Sequence, residues 1–186
     1  MFGVTVLASG GGGNLDSIIK HGNHLKLFRV VKVVTNRVCG AMTIAEQHEI
    51  QTEILDCSDP DNYFEVIPRD SDLVVLAGFM PIVPKKVCNF FSGRIINTHP
   101  SLLPKYGGIG MYGVRVHEAV LKAQEKITGC TVHFVTEGVD EGPIILQESF
   151  EIPEGIDAWA LGGLVFDRET KVLPNAISLL AEGRIL

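Results

Sequence analysis

Short runs of β-branched and other apolar residues alternate with helix-like stretches through the first half of the chain. The apolar runs predict strands at residues 4–8, 28–35, 52–55, 73–77 and 94–97. The stretches between them predict helices at 14–20, 42–48 and 81–90, the last with a proline in its first turn, and only a brief helix or loop at 56–72. This alternation is typical of βαβ units around a parallel sheet that is buried on both faces.

The second half of the chain has a different pattern. Four glycines among residues 107–113 predict a loop, and a helix is expected at 114–125. Strands at 130–135 and 143–152 flank a turn, and an amphipathic stretch at 157–180 contains Pro174, which predicts a kink or a break. We therefore predict a single α/β domain over residues 1–186: a Rossmann-like, mostly parallel twisted sheet with helices on both faces and a carboxyl-terminal β-hairpin plus helix.

Composition and charge argue against a nucleic-acid-binding or membrane protein. Apolar residues make up 46% of the chain, and 16 Lys and Arg stand against 22 Asp and Glu, a formal charge of −6. Such a charge offers no field that would attract nucleic acid or anionic lipid. The chain starts without a basic leader, its longest apolar run is about half of a membrane span, and its four cysteines form no C-x-x-C pair. We expect a cytoplasmic protein with no nucleic-acid or membrane partner.

A glycine-rich loop, Ser-Gly-Gly-Gly-Gly-Asn at residues 9–14, joins the first strand to the first helix. Consecutive glycines let backbone N–H groups approach an anion, and the helix amino terminus adds partial positive charge. The dinucleotide-binding pattern fails because Leu15 stands where a third glycine is needed and no acid follows the second strand. The loop therefore predicts a site for a single terminal phosphate, and a simple tight turn stays open as the alternative.

A second candidate site follows the fifth strand, where Asn97 and His99 occur two residues apart. Ligands of open α/β sheets bind at the carboxyl ends of strands, and alternate residues of a strand point the same way. An amide that stabilises an oxyanion beside an imidazole suits acyl transfer. Asp140, in the late turn, is placed to orient His99, although turn residues that bond only the backbone are the alternative for all three. His117 and His133 are expected to be structural, and no metal-ligand pattern occurs.

Four segments together resemble the folate-dependent formyltransferases. They are Val-Leu-Ala-Ser-Gly at 6–10 leading to Asn14-Leu15, Val-Val-Leu-Ala-Gly-Phe-Met at 74–80, Asn-Thr-His-Pro-Ser-Leu-Leu-Pro-Lys-Tyr at 97–106, and Val-His-Phe-Val at 132–135 followed by Asp-Glu-Gly-Pro at 140–143. The resemblance runs over nearly the whole chain, in register.

The resemblance implies transfer of a formyl group from 10-formyltetrahydrofolate to the primary amine of glycinamide ribonucleotide in purine biosynthesis. We also expect small molecules as the only substrates, no metal, and a monomer or homodimer. It implies catalytic roles for Asn97, His99 and Asp140. The substrate nucleotide would be bound by Gly11, Gly12, Gly13, Asn14, Pro100 and Glu169, and the folate by Met80, Ile82, Val83, Val135, Thr136 and Glu137.

The chain also departs from this family pattern. Gly13 stands where relatives carry a serine, Pro81 replaces a basic residue, and segment 56–72 is short. The glycine-rich segment 107–113 is longer than in the commonest form and is a candidate lid. Alternative functions are a formyltetrahydrofolate hydrolase, a nucleotide-sugar or tRNA formyltransferase, and a non-catalytic folate- or nucleotide-binding module. The hydrolase and the tRNA enzyme usually carry an additional domain.

Overall fold

The computed structural model describes residues 1–185. The seven strands are β1 (Phe2–Ala8), β2 (Phe28–Thr35), β3 (Thr52–Ile54), β4 (Leu73–Leu76), β5 (Ile95–His99), β6 (Ile127–Phe134) and β7 (Ile144–Glu151). The helices are α1 (Gly13–Leu25), α2 (Gly40–Gln47), α3 (Asn62–Val66), α4 (Lys85–Phe90), α5 (Val114–Lys122) and α6 (Ala158–Ala181).

All seven strands form one sheet in the order β3-β2-β1-β4-β5-β6-β7. The first five strands are parallel, and β6 and β7 add to β5 as an antiparallel hairpin. Helix α6 follows the hairpin and packs on β6 and α1. The predicted α/β fold with a carboxyl-terminal hairpin plus helix is confirmed.

The sheet separates two apolar cores. One core contains α1, α2 and α6, and the other contains α3 and α4. On β5, Ile96 points into the first core and Ile95 into the second. Because strand residues alternate between faces, Thr98 lies on the α1–α6 face, whereas Asn97 and His99 lie on the α3–α4 face. The end of β5 therefore presents polar groups to both sides of the sheet.

The helix predicted at 81–90 is wrong in its first half. Helix α4 begins at Lys85, and Pro84 is its N-cap with an extended backbone (φ −61°, ψ 144°). A residue that precedes proline is disfavoured in the helical conformation, so Val83 cannot continue a helix into Pro84. Residues 81–84 are instead an irregular segment, and Pro81, Ile82 and Val83 border a cavity.

The break considered at Pro174 does not occur, because α6 runs without interruption from Ala158 to Ala181. Elsewhere the predicted bounds differ from the observed ones by a few residues; β5, for example, extends to His99 rather than ending at Asn97. Within residues 1–185, none of the helices has both the length and the hydropathy that crossing a bilayer requires.

Candidate active site

A cavity of about 980 Å³ opens at the carboxyl ends of β4 and β5, where ligands of open α/β sheets bind. Its wall contains residues from both faces of the sheet. Nearly every residue proposed from the sequence borders it: Asn14, Met80, Ile82, Val83, Asn97, His99, Pro100, Val135, Thr136, Glu137, Asp140 and Glu169. Gly11, Gly12 and Gly13 lie outside this wall. One cavity thus brings together candidate residues that are far apart in the chain.

Asp140 lies between two imidazoles. Its Oδ2 atom is 3.3 Å from His99 Nδ1, and its Oδ1 atom is 3.5 Å from His133 Nε2. The backbone N–H of Gly108 also donates to Oδ2, at 3.0 Å. Asp140 has a positive φ of 59°, which aspartate tolerates better than most residues, and its side chain is 9% exposed. The loop between β6 and β7 therefore delivers a buried carboxylate to the end of β5.

Asn97 is held by the neighbouring strand. Asn97 and His133 are directly opposed in the antiparallel β5–β6 ladder, and Asn97 Nδ2 lies 3.2 Å from His133 Nε2. His133 Nδ1 lies 2.8 Å from the carbonyl oxygen of Phe134 and donates to it, whereas its Nε2 atom faces both the Asn97 amide and Asp140 Oδ1. The second N–H of the amide remains for the cavity. His133, expected from the sequence to be structural, thus orients a candidate catalytic amide.

His99 is enclosed by acceptors on both sides. Its Nε2 atom lies 2.8 Å from the carbonyl oxygen of Tyr106, opposite the nitrogen that faces Asp140. Burial lowers the pKa of His99, the Asp140 charge and the Tyr106 carbonyl raise it, and His133 lowers it further, with a net downward shift. The Tyr106 hydroxyl donates to Glu125 at 2.9 Å, which fixes the residue that contacts the imidazole.

The pKa of Asp140 lies below its usual value. Burial acts to raise it, but the contact with His133, the charge of His99 and the N–H of Gly108 outweigh that effect. Asp140 is therefore an ionised carboxylate at neutral pH. A permanently charged group between two imidazoles can hold one of them in position and stabilise its protonated form.

Glu169 is on the opposite face of the sheet, on α6, and is only 8% exposed. Thr98 Oγ1 donates to its Oε1 atom at 2.9 Å. Burial raises the pKa of Glu169 to about 7, although hydrogen bonding to Thr98 and to the Asn14 side chain lowers it. Asn14 is 7% exposed, and within the described residues its Oδ1 atom has no hydrogen-bond partner. This part of the cavity wall holds two acceptors that suit a donor-bearing ligand.

The glycine-rich loop packs closely against neighbouring elements. Gly12 is the N-cap of α1 with φ 87°, and a Cβ atom there would lie 2.9 Å from the Ala41 backbone. A Cβ atom on Gly13 would lie 2.6 Å from Cζ of Phe166. The Phe166 ring thus occupies the space that a side chain at position 13 would need, which is a structural reason for the missing serine. In residues 1–185 the N–H groups of Gly11, Gly12 and Gly13 donate to no protein acceptor.

The other end of the cavity is apolar. Met80, Ile82, Val83 and Val135 border it, and Met80 and Ile82 are 50% and 67% exposed. The N–H of Met80 donates to Ser9 Oγ at 2.9 Å, which ties this wall to the glycine-rich loop. An apolar slot between sheet and loop suits a flat heteroaromatic ligand.

The carboxylate of Glu137 turns towards α4. It accepts from Asn89 Nδ2 at 2.9 Å and lies 3.1 Å from Lys85 Nζ. Thr136 borders the cavity beside it. Glu137 is therefore part of the rim, with its charge already paired outside the apolar slot.

Several residues of the wall were not identified from the sequence. His117 on α5 is 5% exposed and its Nδ1 atom has no partner within residues 1–185; burial, and then His99, lower its pKa. Gly162 lets α6 approach this ring, because a Cβ atom there would lie 3.0 Å from it. Exposed Ile109, Tyr112 and Trp159 form the outer rim. The segment 107–113, predicted as a loop, thus borders the cavity, and its role as a lid stays a prediction.

Among the described residues, no three His, Cys, Asp or Glu side chains are grouped so that they could hold a metal ion.

The chain is similar to known proteins over nearly its whole length. A formyl transferase family model matches residues 3–177. The phosphoribosylglycinamide formyltransferase of Escherichia coli is 34% identical over 192 residues, covering 98% of this chain and 88% of that protein. The trifunctional purine biosynthetic protein adenosine-3 of Bos taurus is 37% identical over 192 residues, and the chain, 98% covered, spans 18% of that protein. The crystal structure of phosphoribosylglycinamide formyltransferase from Anaplasma phagocytophilum has a TM-score of 0.91 at 33% identity, covering 100% of this chain and 89% of that one.

Proposed function

The chain belongs to the formyl transferase family, and we propose that it transfers a formyl group from 10-formyltetrahydrofolate to the primary amine of glycinamide ribonucleotide. The observation that carries this proposal is the convergence of Asn97, His99 and Asp140 on the wall of one cavity that also has an apolar end and a buried carboxylate. A binding module would need the cavity but not this arrangement of an amide, an imidazole and a carboxylate.

The nucleotide would bind on the α1–α6 side of the cavity. The free N–H groups of Gly11, Gly12 and Gly13 at the start of α1 would hold its phosphate. Asn14 and Glu169 offer acceptors for its hydroxyl or amine donors, and Pro100 borders the same space. This placement directs the amine towards the end of β5.

The folate would bind on the α3–α4 side. Its ring system would lie against Met80, Ile82, Val83 and Val135, with the Thr136 and Glu137 backbone at the edge of the pocket. The formyl group would then lie beside Asn97 and His99. The two substrates would meet at the strand end from opposite faces of the sheet.

The proposed reaction is direct attack of the amine on the formyl carbon. A C–N bond forms, the carbonyl electron pair becomes an oxyanion, and the second N–H of Asn97 donates to that oxygen. Protonated His99 assists once its Nε2 atom exchanges the Tyr106 carbonyl for the oxyanion. Collapse re-forms the carbonyl and breaks the bond to the folate nitrogen. The proton lost by the amine passes to that nitrogen, with Asp140 holding His99 during the transfer.

Both proposed substrates are small molecules, so the reaction needs neither nucleic acid nor membrane. We place it in the cytoplasm, a reducing compartment, in keeping with four cysteines that are all free thiols.

The test is a formyl-transfer assay with purified protein, 10-formyltetrahydrofolate and glycinamide ribonucleotide. Release of tetrahydrofolate should depend on the nucleotide, with formate absent from the products. His99→Ala should abolish most of the turnover while binding of the nucleotide in calorimetry is retained. Folate consumption without the nucleotide would favour a hydrolase, and binding without any turnover in the wild-type protein would favour a binding module.

A further inference from the structure

Thr98 stands between two candidate catalytic residues but faces the other way. Its neighbours Asn97 and His99 point to the α3–α4 face, whereas Thr98 lies on the α1–α6 face and is 8% exposed. A valine or isoleucine would fill this strand position equally well, as Ile96 does two residues earlier. The hydroxyl therefore needs an explanation beyond packing.

The hydroxyl is used by a residue 71 positions away. Thr98 Oγ1 donates to Glu169 Oε1 at 2.9 Å, and both side chains are buried at the cavity wall. The Asn14 side chain is the other hydrogen-bond partner of this carboxyl. A glutamate on a helix has three rotatable side-chain bonds, so a hydrogen bond from the strand removes much of its freedom.

We propose that Thr98 is a positioning residue that fixes the Glu169 carboxyl at the end of β5, so that its second oxygen accepts a donor group of the nucleotide. The inference rests on the proposed function, because it assumes that the nucleotide binds on this side of the cavity. The unpartnered and buried Oδ1 atom of Asn14 is independent support, since it marks a second acceptor in the same place that a donor-bearing ligand would satisfy.

The charged groups near Glu169 do not shift its pKa, and Thr98 and Asn14 are the neighbours that do. On β6, Cys130 faces it, and burial followed by the charges of Glu169 and Glu148 raises the pKa of that thiol to about 12. Arg168, the adjacent residue on α6, lies 4.0 Å from Glu148 of β7. His117 on α5 owes its shift to burial and to His99. Among residues 1–185, burial, Thr98 and Asn14 alone account for the pKa of Glu169.

The sign of the pH effect follows from the contact. A hydroxyl that donates to a carboxylate favours its ionised form, so Thr98 lowers the pKa of Glu169 against the burial that raises it. Loss of the hydroxyl should move that pKa upward by about one unit. The limb that Glu169 contributes to the pH profile of kcat/KM for the nucleotide should likewise move to higher pH.

The experiment compares Thr98→Val, which has the same shape without the hydroxyl, with Thr98→Ser, which keeps it. We expect Thr98→Val to raise KM for the nucleotide about tenfold and leave KM for the folate within about twofold. Thr98→Ser should stay within about threefold of the wild-type enzyme for both substrates. In a Glu169→Gln background, Thr98→Val should add less than about a twofold effect, because the two residues act as one unit.

Thr128→Val is the matched control, since Thr128 is also a buried strand threonine (2% exposed) but lies away from the cavity. It should leave both KM values and the pH profile unchanged. Circular dichroism confirms that each variant is folded, and Thr98→Ala, which also lacks the hydroxyl, replaces Thr98→Val if that variant does not fold. Equal kinetics for the valine and serine variants, or an equal rise in both KM values, would overturn the proposal.

A readout that needs no activity separates this inference from the proposed function. Infrared titration of the Glu169 carboxyl band, identified by its loss in Glu169→Gln, should show the upward pKa shift in Thr98→Val. If the wild-type protein transfers no formyl group to the nucleotide, the proposed function fails, and the substrate role of Glu169 fails with it. If transfer occurs but the carboxyl band titrates identically in both proteins, the positioning role of Thr98 alone fails.

Discussion

Replacing Asp140 with asparagine removes one charge and keeps the shape of the side chain. The carboxylate is 3.3 Å from His99 Nδ1, and two unit charges at that distance interact with about 5 kcal/mol at an effective dielectric constant of about 20. Asparagine retains part of this interaction energy through its amide oxygen. We therefore expect the stabilisation of the transition state to fall by about 3 to 4 kcal/mol, which lowers kcat by about two to three decades.

The assay is steady-state formyl transfer at several pH values. Both KM values should stay within about threefold of the wild-type values, because Asp140 holds the imidazole rather than a substrate. The Asp140 charge raises the pKa of His99, so the His99 limb of the pH profile should move to lower pH in Asp140→Asn. Glu141→Gln is the control: it removes a carboxylate from the next residue, which is exposed, and should leave kcat unchanged.

The kcat and the pH profile of Asp140→Asn together decide whether the charge matters. If Asp140→Asn retains more than about a tenth of the wild-type kcat and the pH profile does not move, the charge between the two imidazoles contributes nothing to the reaction. Loss of folding in thermal melts would instead indicate a structural role, and Asp140→Glu would then be used to restore the charge.

Three further predictions concern other parts of the cavity. Asn97→Ala should lower kcat by about two to three decades through loss of an oxyanion donor, measured at saturating substrates; a rate above about a tenth of the wild-type value would contradict it. Gly13→Ser should lower stability by about 1 kcal/mol, because its Cβ atom would lie 2.6 Å from the Phe166 ring. Thermal melts should show recovery in the double variant with Phe166→Ala, and no recovery would exclude this contact as the cause. The pKa of Glu169 is raised to about 7, so the stability that the neutral acid contributes is lost as pH rises from about 4.5 through 7. The free energy of unfolding of Glu169→Gln should therefore exceed that of the wild-type protein by about 3 kcal/mol at pH 8, and by under about 1 kcal/mol at pH 5. Urea unfolding measures both, and a pH-independent difference would refute burial of an ionisable group.

Local sequence pattern was sufficient for much of the sheet. The strand predicted at 28–35 coincides with β2 because its Val-rich run, whose last four residues are all buried, has no competing helical period. The period of two also placed Asn97 and His99 on one side of the strand end. Pro84 shows the limit of such patterns, since a proline suits the first turn of a helix or the residue before it, and neighbouring packing decides between them.

The contacts that complete the cavity depend on strand register and on helix placement, and neither can be predicted from a local sequence pattern. His133 faces Asn97 because of the antiparallel β5–β6 ladder, and the sequence around a strand histidine does not indicate which residue it will face. The Tyr106 carbonyl that contacts His99 is a backbone atom, available to any residue type at that position. Thr98 and Glu169 meet only because α6 returns over the sheet after the hairpin.

The two buried acids of the cavity have opposite pKa shifts, and their surroundings explain why. Asp140 and Glu169 are both desolvated, which by itself favours the neutral acid in each. Asp140 has two imidazoles and a backbone N–H, which together outweigh burial, whereas Glu169 has a hydroxyl and an amide, which do not. A carboxylate that stays charged suits the positioning of a proton-transferring histidine, and one that titrates near neutrality suits a site that adjusts to a ligand's hydrogen-bond donors. The end of β5 separates these environments, with His99 facing the first acid and Thr98 the second. One strand end can therefore serve both partners of a transfer reaction without the two carboxylates sharing a site.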